Sequence, residues 1–299
     1  MIKNVKIIGL GLMGANLGIN LVNKGLNVYG EDINPDVEKR AEKFGINVKS
    51  NAEKYDLTIL SMPINNIISF LSKEHEVDRS ELIIDIGGTK ESICDLMDNS
   101  NIPAIGGHPM CGLADNTNWE PHPEMYKNAT FLLCETNSTD DKAREIASAF
   151  INILDCKEVW IDRKKHDEIL SITSHLPHLI SSALVGIAKK DYEIEEIMGL
   201  AAGGFDGATR LTRTNPEMII DMYNSNSKNI NTFLIALIEE ISSLMSLQEK
   251  NELIDYLTSS VEWRRALSDK FGERPLSCLL YTSDAADEGL GVDLGGRRI

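Results

Sequence analysis

Short apolar runs and helical periods alternate through the first half of the chain, and the alternation stops near residue 162. Residues 5–9 (VKIIG), 27–32, 56–61 and 82–86 are compact runs rich in Val, Ile and Leu, as expected of strands covered on both faces. Residues 102–106 and 130–133 predict two more strands. Between them, residues 15–23 have helical spacing closed by Gly25 as a C-terminal cap, and Pro35 opens a helix over 35–44. Strands separated by helices predict an α/β fold with a doubly wound parallel sheet.

The second half carries helical periods only. Residues 164–190, 192–200, 215–248 and 250–270 have few breakers, and 230–245 (INTFLIALIEEISSLM) is apolar on more than one face. A helix with that pattern is buried against partners, so an all-α domain with a dimer interface is expected. The expected organisation is 1–163 for the sheet domain, 164–276 for the helical domain and 277–299 for a non-native or disordered tail. The tail loses all periodicity after Pro275 and resembles translated sequencing-adapter read-through.

Charge narrows the partners. A net charge of −16 over 299 residues argues against nucleic acid, so an anionic substrate would need a local basic cluster. The five cysteines are scattered without a C-x-x-C pair, which fits reduced thiols and a cytoplasmic protein. No cleavable leader and no apolar run of bilayer-spanning length is expected, so no membrane partner is either.

The first motif follows the first strand. Gly9-Leu10-Gly11-Leu12-Met13-Gly14 is a G-x-G-x-x-G opening a helix, with glycine at the tight turn and at the closest approach to a pyrophosphate. The helix N-terminus then offers amides and its dipole to the diphosphate. Asp32, 18 residues on, stands where a carboxylate takes the adenosine ribose hydroxyls; with no Arg or Ser beside it, NAD is favoured over NADP. The domain is therefore expected to be of Rossmann type.

Ser61, Met62 and Pro63 end the third strand, and Gly87 to Lys90 follow the next, where open parallel sheets bind ligands. Lys90 is expected either to meet a phosphate or carboxylate or to be a solvated lysine at a helix start. His108 follows Gly106-Gly107 at another strand's carboxyl end, where an imidazole serves as proton acceptor near the nicotinamide. Ser174, His175 and His178 share one helix, interrupted by Pro177; they read as cavity-facing groups or as satisfied core polar groups. No acidic or cysteine neighbour gives the two histidines a metal-ligand spacing, so no metal is expected. Arg210, after Gly203-Gly204-Phe205, either grips a substrate carboxylate or ties helices together. Cys111 is near His108, but hydride chemistry needs no thiolate, and it reads as a small buried residue.

Three of these segments together resemble the prephenate dehydrogenase family, which includes the arogenate dehydrogenases. GGHPMCG (106–112), SHLPH (174–178) and GGFDGATR (203–210) match family motifs over a similarity spanning about residues 3–265. Gly207 stands where the family usually has Asp, Gly88 where many members carry a serine, and Ala114, next to Asp115, where some carry a glutamate. The resemblance implies an NAD-dependent oxidoreductase that oxidatively decarboxylates prephenate to 4-hydroxyphenylpyruvate, CO2 and NADH in tyrosine biosynthesis. It assigns catalysis to His108, His178 and Arg210, and substrate binding to Ser174, His178 and Arg210. The helical domain would form a homodimer. Arogenate as substrate is one alternative. A β-hydroxyacid dehydrogenase is another, since GLGLMGANLGINLVNKG also resembles that family's start, but the catalytic lysine motif is missing between residues 160 and 200.

Overall fold

The computed structural model describes residues 2–49, 52–73, 79–112 and 121–271. The expected tail, and Ala114 with Asp115, lie outside the described residues. By packing, the chain divides into two units, Met1–Leu237 and Ile238–Ile299.

In the first unit, seven strands form one sheet: β1 (Asn4–Ile8), β2 (Asn27–Glu31), β3 (Leu57–Leu60), β4 (Ile83–Asp85), β5 (Ala104–Pro109), β6 (Thr130–Glu135) and β7 (Lys157–Trp160). Their order is β2-β1-β3-β4-β5-β6-β7. A lone parallel bridge from Tyr29 to Asn47 adds the rudiment of a further strand outside β2. The order reverses between β1 and β3, which makes their carboxyl ends the switch point where such sheets bind ligands.

The crossover helices are α1 (Leu12–Asn23), α2 (Pro35–Glu42), α3 (Ile64–Leu71), α4 (Glu91–Met97) and α5 (Asp141–Ile153). Neighbouring strand residues send side chains to opposite faces. Ile7, Leu57 and Ile84 join a core with Leu17, Leu21, Phe131 and Phe150. Ile8, Leu60 and Ile83 join another with Ile67, Ile93 and Met97. Covering both faces explains why these strands read as continuous apolar runs.

The sheet departs from the all-parallel expectation at β6, which runs antiparallel to β5, and β7 then pairs parallel to β6. An antiparallel neighbour needs no crossover helix. Among its described residues, the β5–β6 connection holds only a 3₁₀ turn, Pro123–Tyr126. Strand β7 (KEVW), which the sequence pattern did not predict, is an edge strand with mostly exposed residues.

From Arg163 to Phe271 the chain is helical, as expected: α6 (Arg163–Leu170), α7 (Leu176–Asp191), α8 (Ile194–Met198), α9 (Gly203–Thr209), α10 (Pro216–Ser225), α11 (Ser227–Ser246) and α12 (Lys250–Phe271). The helix expected over 215–248 breaks at Asn226, whose amide reaches the Asp167 carbonyl at 2.8 Å. Between α6 and α7, Ser171–His175 form a π-helical turn. Pro177, in the first turn of α7, has no N–H to return to the preceding turn, and the widened turn absorbs that loss.

One expectation is corrected here. The helical run Arg163–Lys190 is long and apolar enough to cross a membrane by length and composition, with mean hydropathy 1.2. Its polar groups are spent inside the fold instead: Asp167 accepts from the Lys90 and Glu91 amides, and Ser171 and His175 meet Asn226.

Candidate active site

The glycine turn is built by close approach. Gly9 has φ +94°, and a side-chain carbon there would stand 2.4 Å from the Ser61 carbonyl oxygen. At Gly14 such a carbon would stand 2.0 Å from the Gly9 oxygen, so helix and strand could not pack. Gly11, the N-cap of α1, is different: its cradle is open, and no side chain caps the helix. The first-turn amides are thus left for an anion. Tyr126 fixes this end by donating to the Met13 carbonyl at 2.8 Å. Asp32, just beyond β2, accepts from the Leu10 amide at 2.7 Å and the Asn34 amide at 2.9 Å, so its carboxylate is held beside the turn. An open cradle, uncapped amides and a fixed carboxylate fit a dinucleotide.

A cleft of about 770 Å³ opens from this turn. Its walls include Gly11, Leu12 and Met13 of the turn, Ser61, Met62 and Pro63 after β3, Gly88 after β4, His108 on β5, and Ser174, His175 and His178. Segments far apart along the chain therefore meet at one site. Gly9, Leu10 and Gly14 lie behind its surface as structural support. Asp32 and Arg210 are not among the lining residues.

Lys90 corrects an expectation: it is neither solvated nor in the cleft. Its side chain is fully buried, ion-paired to Asp85 and donating to the Gly107 carbonyl at 2.7 Å. Asp85 also accepts from the amides of Gly87 (2.8 Å) and Gly107 (3.1 Å), which ties β4 to β5 directly behind His108. Burial raises the Asp85 carboxyl above its ordinary range, and the Lys90 ammonium opposes that.

His108 places Nδ1 2.9 Å from Nε2 of His166. Burial holds its imidazole well below the usual range, and His166, Lys90 and His175 add to the effect. A neutral imidazole at the cleft wall can accept a proton at physiological pH. Burial lowers His175 to about 4, against the Asp167 carboxylate, while Asn226 faces its Nδ1 at 3.2 Å. His178 points Nδ1 at the Leu211 carbonyl at 3.4 Å, leaving its other nitrogen for the cleft. Burial lowers His178 too; the Leu211 carbonyl opposes this and the Arg210 guanidinium adds to it. Arg210, half-buried at the start of the 3₁₀ turn Arg210–Arg213, is therefore near His178, and no carboxylate pairs with it among the described residues.

Sequence reasoning missed His166, Asp167 and Asn226. A signal existed: Asp167, Ser171, Ser174 and His178 recur at intervals of four, three and four, a polar stripe along an apolar helix. Glu217 and Asp221 also line the cleft and were not anticipated. No group of three His, Cys, Asp or Glu side chains that could hold a metal ion occurs among the described residues.

The family model of the prephenate dehydrogenase nucleotide-binding domain matches residues 17–159. That of the prephenate dehydrogenase dimerization domain matches 162–259. A prephenate dehydrogenase of Lactococcus lactis subsp. cremoris is 27% identical over 96% of this chain and 84% of its own. A cyclohexadienyl dehydrogenase of Zymomonas mobilis is 24% identical over 91% of this chain and 99% of its own. The crystal structure of prephenate dehydrogenase from Aquifex aeolicus, in complex with hydroxyphenyl propionate and NAD+, shares the fold with a TM-score of 0.79. It is 24% identical and covers 89% of this chain and 99% of its own. With both halves matched, the chain belongs to the prephenate dehydrogenase family.

Proposed function

We propose that this protein catalyses the NAD-dependent oxidative decarboxylation of prephenate to 4-hydroxyphenylpyruvate and CO2, a step of tyrosine biosynthesis. The observation that carries the reading is the cleft, in which an imidazole of depressed pKa, His108, shares walls with an uncapped glycine-rich helix start and with Ser174 and His178. The turn from Gly9 to Gly14, with Asp32 and the Ser61-Met62-Pro63 loop, would hold the cofactor. NAD, when bound, supplies a hydride acceptor at the nicotinamide ring.

His108 takes the proton of the substrate's 4-hydroxyl as the carbonyl forms, and the depressed pKa keeps it free to do so. Loss of CO2 then aromatises the ring. Arg210, with no carboxylate paired to it among the described residues, binds a substrate carboxylate. His178 and Ser174 orient the substrate or the nicotinamide end. Met62, Ile86, Ile220 and Met222 line the cleft with apolar surface that excludes water.

A second reading, arogenate as substrate, is favoured by Glu217 and Asp221 in the cleft wall, which would accept an ammonium on the side arm. The β-hydroxyacid alternative has less support, since no lysine is among the lining residues. We place the cofactor domain at 1–163 and the helical domain at 164–276, the latter pairing two copies. Cytoplasmic residence is supported by the free thiols of Cys94, Cys134 and Cys156.

The test is reduction of NAD+ and of NADP+ by the full-length protein with prephenate and, separately, arogenate. Turnover with prephenate and NAD+ is expected. Turnover with arogenate alone would replace the substrate, and silence in every combination would overturn the reading.

A further inference from the structure

On its cleft side, nothing among the described residues orients the His108 ring. The neighbouring Gly88 offers no side chain, and a carbon added there would meet nothing within 4 Å. The ring is held from behind. Its Nδ1 lies 2.9 Å from Nε2 of His166, which is completely buried in the first turns of α6. The other nitrogen of His166, Nδ1, lies 2.7 Å from Oδ1 of Asp167, also buried. Asp167 is pinned in turn: Oδ1 accepts from the Lys90 amide at 2.8 Å and Oδ2 from the Glu91 amide at 2.9 Å. Two backbone donors at the start of α4 thus hold an otherwise isolated carboxylate, and they leave it acceptor capacity for His166.

The direction of each hydrogen bond follows from that anchor. An ionised carboxylate only accepts, so His166 donates from Nδ1. A neutral imidazole that donates from one nitrogen accepts at the other, so His166 Nε2 presents a lone pair. His108 must then donate from Nδ1, and its Nε2 is left bare toward the cleft.

Resting on the reading of His108 as proton acceptor, we infer that His166 and Asp167 are positioning residues that set the His108 tautomer, leaving Nε2 as the base. The step balances within the chain. The proton of the substrate hydroxyl moves to His108 Nε2, and the imidazolium so formed keeps its Nδ1–H bonded to His166. The oriented chain ending on Asp167 faces that new positive charge with a carboxylate. The same logic of base and orienting carboxylate recurs in hydrolase triads, here with a second imidazole between them. Lys90 and His175, the other basic groups acting on His108, both disfavour its protonated form.

Two measurements test the inference. Nitrogen NMR of the imidazoles in the ligand-free wild-type protein at neutral pH reads the tautomers whatever the substrate turns out to be; His108→Asn and His166→Gln spectra assign the signals. His108 protonated at Nδ1 and bare at Nε2, with His166 protonated at Nδ1, is expected; a proton on His108 Nε2 would overturn the proposal. Kinetically, His166→Leu is expected to lower kcat about 10–100-fold while substrate KM moves less than about threefold. His166→Gln, whose amide oxygen can accept from His108 Nδ1, is expected to recover about tenfold of the loss. Unchanged kcat in His166→Leu would reject the role. A wild-type protein inactive on prephenate and arogenate, yet showing the expected tautomers, would fault the functional reading and leave this inference standing.

Discussion

The sheet half and the late helices treat their apolar side chains differently. In the sheet half, Ile7, Leu57, Ile59 and Phe150 are fully buried. Along α11 and α12, Ile238 is 63% exposed, Met245 79% and Trp263 70%. The first region completes its own core within one chain. The second carries apolar surface of a kind that soluble monomers seldom leave in water, and its stretch up to residue 259 lies in the part matched by the dimerization-domain model. Chemistry and assembly are thus divided along the chain, with the cleft wholly inside the first packing unit.

The division can be broken at four points. His108→Asn should lower turnover with prephenate about 10²–10⁴-fold and leave NAD affinity unaltered, as followed by steady-state kinetics and cofactor titration. In the unmutated protein, the acid limb of kcat/KM should lie below the ordinary imidazole range, because activity needs neutral His108 and its pKa is depressed. An acid limb at or above the ordinary value would contradict that protonation state.

Lys90→Met tests the interior of the sheet half. It strands the Asp85 carboxylate, and breaking a buried pair in this way costs about 3–5 kcal/mol. Denaturant unfolding should show the loss; stability equal to wild type would mean that Asp85 is relieved by taking up a proton. Arg210→Gln, beside His178 in the helical half, should raise substrate KM about 10–100-fold with a smaller change in kcat, as expected for one lost carboxylate clamp. An unchanged KM would return Arg210 to a purely structural role. The mildest change is expected from Trp263→Glu, which should weaken self-association about tenfold or more in sedimentation, with turnover per folded site nearly preserved. A wild-type protein that sediments as a single chain would remove the contrast altogether.

What the sequence disclosed follows from how local each requirement is. The turn from Gly9 to Gly14 is legible because close backbone contacts demand glycine at fixed spacing, and the buried strands are legible because both faces need apolar residues. Strand direction is not written in a run such as 130–133, so the reversal of β6 escaped. Strand β7 escaped because an exposed edge needs no apolar run. His108 was found through its place at a strand end. His166 and Asp167 were hidden in RKKHDE, which reads as a solvated helix start, although the polar stripe from Asp167 to His178 was there to be seen. Lys90 was misplaced because a lysine at a helix start is ordinarily in water, and only the fold brings Asp85 behind it.

The π-helical turn Ser171–His175 makes the distance between the two ends of this helical run a measured length. Asp167 is fastened to the start of α4, and His178 faces Leu211 and the cleft. Each helical residue adds about 100° of rotation, so removing one residue from the wide turn would swing everything after it by roughly that angle. His178 would leave the cleft while Asp167 stayed in place. The segment should therefore accept exchanges of side chain far more readily than any change in the number of residues, and natural insertions should fall elsewhere.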